Sequence, residues 1–206
     1  MDMAFEIEGD SVPRDHAAAL WRALARALPW LAEDASIAIF PLRAWPVCGG
    51  RLAVNRRSRL MLRLPGGRVR DALALSGAAI EIEGTGLTVG RAMTRALIPH
   101  ATLYAHRVAA VEGDERAFMQ AVASGLERLG IRRDFICGQR SSVRGEAGAL
   151  AGFSLMLTGL RPAESVRVQT AGLGPHRRLG FGIFVPHRST AAVGSDEAAA
   201  ERQAFR

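Results

Sequence analysis

Hydrophobic residues fall into short alternating runs interleaved with longer stretches of helical period, and the same succession of segments occurs twice along the chain. Ala4 to Glu8 predicts a strand. Asp15 to Leu31 predicts a helix with Leu20, Leu24, Leu28 and Leu31 on one face, and Ile37 to Leu42 a second strand. Around Ser58 to Leu64, Leu60, Leu62 and Leu64 fall on one side and Arg57, Arg59 and Arg63 on the other, the period of a half-buried strand. Val69 to Leu75 predicts a short helix, and Ala79 to Val89 a strand or hairpin around Gly84 and Gly86. The order is βαββαβ.

The second half repeats it. Thr102 to Val111 predicts a strand, and Asp114 to Leu129 a helix with Asp114 as its cap. Strands follow around Phe135 and from Gly152 to Leu160, then a short helix from Pro162 to Ala171 and a last strand from Phe181 to His187. The expected fold is α+β: two tandem ferredoxin-like, RRM-like βαββαβ domains covering residues 1–95 and 96–188, with a C-terminal glycine-rich loop in the second. Residues 189–206, rich in Ala and Glu, are expected to be a flexible tail. Each sheet should have one face covered by its helices and the other open to a partner.

Charge narrows the partner. The 206 residues carry a formal net charge of +7, and all 27 basic residues are arginine. A polyanion is favoured, nucleic acid over a membrane, because no apolar run nears the roughly 20 residues of a spanning helix. The N-terminus has neither the basic region nor the apolar core of a signal peptide, so a cytoplasmic protein is expected. Cys48 and Cys137 stand in no metal-ligand or disulfide spacing, and no metal or cofactor is called for. Aromatic residues are 6% of the chain and none pairs at strand spacing on the arginine face, so backbone and shape recognition is expected rather than base stacking.

Arginines cluster at Arg51, Arg56, Arg57, Arg59, Arg63, Arg68 and Arg70 with no acidic residue among them, then at Arg132, Arg133, Arg140 and Arg144, then at Arg177 and Arg178. The last pair lies with His176 in a loop punctuated by Gly172, Gly174, Gly180 and Gly182, which runs into the apolar Ile183-Phe184-Val185. Loop before strand is the reverse of the dinucleotide fingerprint, and the GxxxxGK phosphate loop fails on spacing and on the missing lysine. A glycine-rich basic loop suits close approach of a phosphate backbone at Gly174, His176, Arg177 and Arg178. Equally, it suits a tight turn that happens to carry arginines.

Among His16, His100, His106, His176 and His187, His16 follows Asp15 at the start of the long helix, where the positive dipole end disfavours imidazolium. A neutral imidazole can serve as a general base. There is no HExxH and no GxSxG. RNA brings its own nucleophile, the 2′-hydroxyl, so one base and cations around the phosphate would be enough to cleave it.

With these elements in place the chain resembles the CRISPR-associated repeat-processing endoribonucleases of the RAMP superfamily, in particular the MYXAN subtype, over residues 4 to 188. The carriers are Asp15-His16 through Leu28-Pro29-Trp30-Leu31-Ala32-Glu33-Asp34, then Arg57 to Pro65, then Pro99 with Thr102-Leu103-Tyr104-Ala105. Gly172-Leu173-Gly174 through Gly180-Phe181-Gly182-Ile183-Phe184-Val185-Pro186 completes the set. The resemblance implies metal-independent cleavage of CRISPR precursor RNA at the repeat hairpin, leaving a 2′,3′-cyclic phosphate, with His16 at the general-base position. It also implies the crRNA hairpin as partner and, in some members, other CRISPR effector subunits. RNA contacts are assigned to Arg51, Arg56, Arg57, Arg59, Arg63, Arg132, Arg133, Arg140, Arg144, Gly174, His176, Arg177 and Arg178. Relatives that use a lysine or a catalytic tyrosine find no counterpart here: lysine is absent, and Tyr104, the one tyrosine, matches a strand segment. A non-catalytic crRNA-hairpin-binding subunit of an effector complex is the alternative.

Overall fold

The computed structural model describes residues 1–110, 114–145 and 148–187. The expected tail, 189–206, lies outside the described residues. The chain forms two compact units: unit 1 comprises Met1–Leu97 with Val143–Leu150 and His176–Gly180, and unit 2 the other described residues.

Unit 1 runs β1 (Asp2–Glu8), β2 (Ser11–Pro13), α1 (Ala17–Ala27), β3 (Ala38–Ile39), β4 (Trp45–Val47) and β5 (Arg51–Ala53). It continues with β6 (Arg59–Arg63), α2 (Val69–Ala72), β7 (Ala79–Ile82) and β8 (Thr85–Arg95). Its main sheet has the order β3-β6-β1-β8-β7. Counting β3, β6 and β8 as second, third and fourth strands gives 2-3-1-4, a ferredoxin-like arrangement. Alternation decides the faces: Met3 lies opposite Leu62 and Phe5 opposite Leu60, all buried in one core with Leu20, Ala23 and Leu24 of α1. Each such fully buried leucine or phenylalanine is worth about 1.5–3 kcal/mol.

Three local departures from the sequence reading have backbone causes. Helix α1 stops at Ala27 instead of reaching Leu31, because a residue before proline avoids the helical region; Leu28 sits at φ −134°, ψ 83°, and Pro29–Ala32 makes a separate 3₁₀ turn. Strand β3 keeps two ladder residues out of the expected six, and Pro41, which has no N–H, follows closely. The segment 79–89 is a hairpin, with Glu83 and Gly84 both at positive φ in its two-residue turn, as a type I′ turn requires. A second sheet, β2-β5-β4, has no counterpart in the sequence pattern. It places Val12, Leu52 and Pro46 in one cross-strand row, and Val12 and Leu52 enter the unit 1 core.

Unit 2 runs β9 (Leu103–Ala109), α3 (Glu115–Arg128), β10 (Phe135–Arg144), β11 (Ala149–Leu157), α4 (Pro162–Ala171) and β12 (Val185–Pro186), with the sheet order β10-β11-β9-β12. That is again 2-3-1-4. The Asp114 carboxylate accepts the Arg116 N–H at 3.1 Å and caps α3 as expected. Helix α4 starts on Pro162, and the Glu164 carboxylate accepts the Arg161 N–H at 2.8 Å. Leu103, Ala105, Val108, Phe153, Leu155 and Leu157 pack with Phe118, Val122, Leu126 and Val168. The opposite sheet face is not open along β11, where Ser154 and Met156 are buried. The final strand is two residues long rather than seven: Phe181, Ile183 and Phe184 are buried outside the ladder.

Candidate nucleic-acid interface

His16 is the N-cap residue of α1 and its side chain is 3% exposed. Its Nδ1 lies 2.9 Å from the Pro13 carbonyl, and its Nε2 accepts the Leu42 N–H at 2.8 Å. These two partners fix the tautomer: Nδ1 carries the proton and donates, Nε2 accepts. The ring is neutral for a reason other than the helix dipole. Burial pushes the imidazole below its ordinary value, against the opposing pull of the Pro13 and Arg14 backbone and of Asp15 and Glu83. In this geometry the lone pair needed by a general base is occupied. Asp15 beside it is exposed, and its carboxylate accepts the Arg144 N–H at 2.8 Å.

The expected arginine face separates into two kinds of side chain. Arg63, 2% exposed, is not on an RNA-facing surface: it forms a bidentate pair with Asp2, at 2.6 and 2.9 Å, and packs over Phe40. Arg51 binds Ser11 Oγ and carbonyl and Thr85 Oγ1, all within 2.8 Å, tying β5 to β2 and β8. Arg59 donates to the Arg56 and Ser58 carbonyls, bracing the turn before β6. Arg56 and Arg57 remain exposed, and their guanidinium groups make no hydrogen bond or ion pair among the described residues. The partners of Arg51 and Arg63 lie 34 to 61 residues away, so no local signal announced them.

The second cluster also divides. Arg133 pairs with Glu164 at 2.9 Å, and the pair holds that carboxylate below its usual range. Arg132 is exposed, and Arg140 and Arg144 are exposed on β10, four residues apart.

The glycine segment builds a protein turn first. Gly172 ends α4 at φ 68°, His176 is left-handed at φ 66°, and Arg177–Leu179 makes one 3₁₀ turn closed by Gly180 at φ 85°. A methyl at Gly180 would press on Pro41, and one at Gly182 would collide with the Leu173 carbonyl. Arg177 is 7% exposed, which corrects its assignment as an RNA contact. Burial, reinforced by Arg63 and opposed by Asp34, pushes its guanidinium down to about 10. Arg178 packs over Trp21 and donates to the Ala32 carbonyl at 2.8 Å. Gly174, Pro175 and His176 are the exposed part of the loop.

The histidines of unit 2 have partners within that unit. His100 Nδ1 lies 3.0 Å from the Thr102 carbonyl, while His106 and His187 pack on either side of Tyr104, with ring centroids 5.0 and 5.5 Å away. Burial pushes the Cys137 thiol up to about 11, which keeps it protonated and unreactive. No helix among the described residues is long and apolar enough to cross a membrane.

These features define an α+β protein with tandem ferredoxin-like units and an exposed set of arginines. The family model for Cas6 CRISPR proteins matches residues 1–189. The chain is 38% identical over 202 residues to the CRISPR-associated endonuclease Cas6 of Myxococcus xanthus, covering 97% of this chain and 87% of that protein. This protein therefore belongs to the Cas6 family. Among solved structures, a Cas6-related gene product from Pyrococcus furiosus aligns with a TM-score of 0.63 at 12% identity, over 92% of this chain and 99% of that one. A CRISPR-associated Cas6 protein aligns at 0.65 and 12% identity, over 91% and 99%. A RAMP protein described as binding different RNA substrates aligns at 0.61 and 12% identity, over 91% and 100%. At such identities the structures speak for the fold.

Proposed function

We propose that this chain is a cytoplasmic endoribonuclease that binds the hairpin of a CRISPR repeat and cuts the precursor RNA at it. The observation that carries this reading is the 38% identity to an endonuclease across nearly the whole chain. Exposed Arg56, Arg57, Arg132, Arg140 and Arg144, with Gly174 and His176, supply the phosphate contacts. Cleavage runs without metal: the 2′-hydroxyl attacks the adjacent phosphorus, the 5′-oxygen leaves and takes a proton from water, and a 2′,3′-cyclic phosphate and a 5′-hydroxyl result. His16 takes the 2′-hydroxyl proton through Nε2, from a state in which that atom has left the Leu42 N–H. Arginine stabilises the developing charge on the phosphate. The processed RNA stays bound as the chain joins other CRISPR effector subunits.

A second reading, a crRNA-hairpin-binding subunit that does not cut, is favoured by the two occupied nitrogens of His16 and by the absence of lysine. Incubating the purified chain with its cognate repeat RNA in EDTA decides between them. The expected result is one cut with a cyclic-phosphate end. Tight binding without a cut gives the second reading, and cleavage that needs added metal overturns the mechanism.

A further inference from the structure

The three tryptophans are not equivalent. Trp21 and Trp30 are half-buried, each with an arginine over its ring: Arg178 at 4.8 Å and Arg68 at 5.0 Å from the centroid. Trp45 is 69% exposed, and among the described residues no ring or cation packs on it.

Its place in the fold explains why. Trp45 opens β4, the edge strand of the small sheet, opposite Ala53 of β5, which in turn pairs with Ser11 of β2. Side chains alternate across a strand, so Val12 and Leu52 take the face toward the core, with exposed Pro46 in the same row, and Trp45, Ala53 and Ser11 take the other. The neighbours directly across the sheet from the indole are thus small, the diagonal Arg51 is tied to Ser11 and Thr85, and Val47, two residues on along the same strand, is also exposed. Burying the ring would cost nothing in polar satisfaction except its single N–H, yet among the described residues nothing covers it.

The surroundings are cationic. Between residues 35 and 70 the chain has no Asp or Glu. Arg43 is exposed two residues before Trp45, and the Asn55–Ser58 turn, which carries exposed Arg56 and Arg57, begins two residues after Ala53 at the same end of the sheet. Exposed carboxylates nearby are Asp10, beside Ser11, and Glu6, opposite Arg59 on β1. An aromatic face on a sheet, with unpaired arginines beside it, is the chemistry that holds an unpaired nucleobase: the base stacks on the ring while the adjoining phosphates meet guanidinium groups. A purely apolar protein partner would instead meet uncompensated positive charge.

We infer that Trp45 is a stacking platform for an unpaired nucleobase flanking the RNA hairpin, with Arg43, Arg56 and Arg57 on the neighbouring phosphates. The inference rests on the proposed RNA-binding function and adds to it a single-stranded subsite on the β2-β5-β4 sheet. It also amends the expectation that bases are not read by stacking, since one exposed ring is enough for one base.

The test compares a cognate repeat hairpin with unpaired flanks to the same hairpin made blunt, each titrated against wild type, Trp45→Ala and Trp45→Phe. Trp45→Ala should weaken the flanked RNA by about 5- to 150-fold, the usual worth of one stacked base, and leave the blunt hairpin unchanged. Trp45→Phe should recover most of the loss, and melting midpoints should stay level because the side chain is exposed. The flanked RNA should also quench wild-type tryptophan emission more than that of Trp45→Phe. Equal affinity of wild type and Trp45→Ala for the flanked RNA overturns the inference and leaves the proposed function standing. Equal weakening of flanked and blunt RNA overturns it too. Self-association of wild type that Trp45→Ala abolishes, with RNA affinity unchanged, assigns the face to a second copy and overturns it. If wild type binds neither RNA, the proposed function falls, and the inference with it.

Discussion

The two units thread their main sheets in the same order, 2-3-1-4, but they use their connections differently. In unit 2 the described connections are turns and helices with conventional caps. In unit 1 the connection between β1 and α1 grows β2, and the one between β3 and β6 grows β4 and β5. Those insertions carry His16's backbone acceptor at Pro13, the Trp45 face and the Arg56-Arg57 turn. A repeated framework with one elaborated copy separates the residues that hold the fold from those left available to a ligand. The most informative experiments are those that break this separation.

The largest effect is expected at His16, where the two roles coincide. His16→Ala leaves the Pro13 carbonyl and the Leu42 N–H without their partner, at about 1–3 kcal/mol for each buried group. Its melting midpoint should fall clearly. Single-turnover cleavage, measured where the variant is still folded, should fall by a further factor of roughly 10² or more if Nε2 is the base. A lower midpoint with cleavage intact would make His16 only a link between α1 and the segment after β3.

Next come the two kinds of arginine. Arg63→Ala leaves Asp2 without its cation and should lower stability by about 3 kcal/mol, the usual cost of breaking a buried pair, while the salt dependence of RNA binding stays as it is. Arg56→Ala with Arg57→Ala should do the reverse. Midpoints should hold, and the log-log salt slope should flatten by about 0.7 to 0.9 for each phosphate no longer neutralised by an arginine. A slope that moves with Arg63 and not with the turn would invert the assignment.

Glycine substitutions sharpen the same comparison in the loop. Gly182→Ala and Gly180→Ala combine positive φ with a collision, against the Leu173 carbonyl in unit 2 and Pro41 in unit 1. Both should lose more than the roughly 1–2 kcal/mol of left-handed strain alone. Gly174→Ala, at φ 73° with its nearest neighbour 3.7 Å away, should lose about that strain and no more. If Gly174→Ala also lowers RNA affinity beyond its effect on stability, the exposed part of the loop touches RNA.

How much of this was legible in the sequence follows from the range of each interaction. The main sheet strands, the Asp114 cap and the Pro162 start depend on neighbours within a few residues, and periodicity and capping residues announced them. The small sheet was not legible: its three strands are three residues each, too short for a period, and β2 finds β5 about forty residues away. For the same reason Arg51 and Arg63 looked like a cationic face, since Ser11, Thr85 and Asp2 come from other strands. Trp45 escaped because solitary aromatic residues carry no pattern; only exposure distinguishes it from Trp21 and Trp30. The neutral state of His16 was anticipated, but from the helix dipole, whereas burial produces it and the Leu42 N–H donated to Nε2 holds it, against the pull of the Pro13 carbonyl.

The smallest expected effect, a pH dependence, isolates that last point. The His16 imidazole titrates below its ordinary 6.5 in the folded protein, mainly through burial. Between that lowered value and 6.5 the unfolded chain binds a proton that the folded chain does not, so stability must rise with pH across the window. The contribution is complete above 6.5 and is lost as pH falls toward the folded value. Urea unfolding at pH 5 and pH 7 should therefore show wild type losing more stability on acidification than His16→Gln, by at most about 1.4 kcal/mol per pH unit. The other four histidines are present in both proteins and cancel in the difference. Equal slopes would mean that the imidazole takes up a proton while folded, which the donated Leu42 N–H forbids, and the bond that locks His16 would have to be absent in solution.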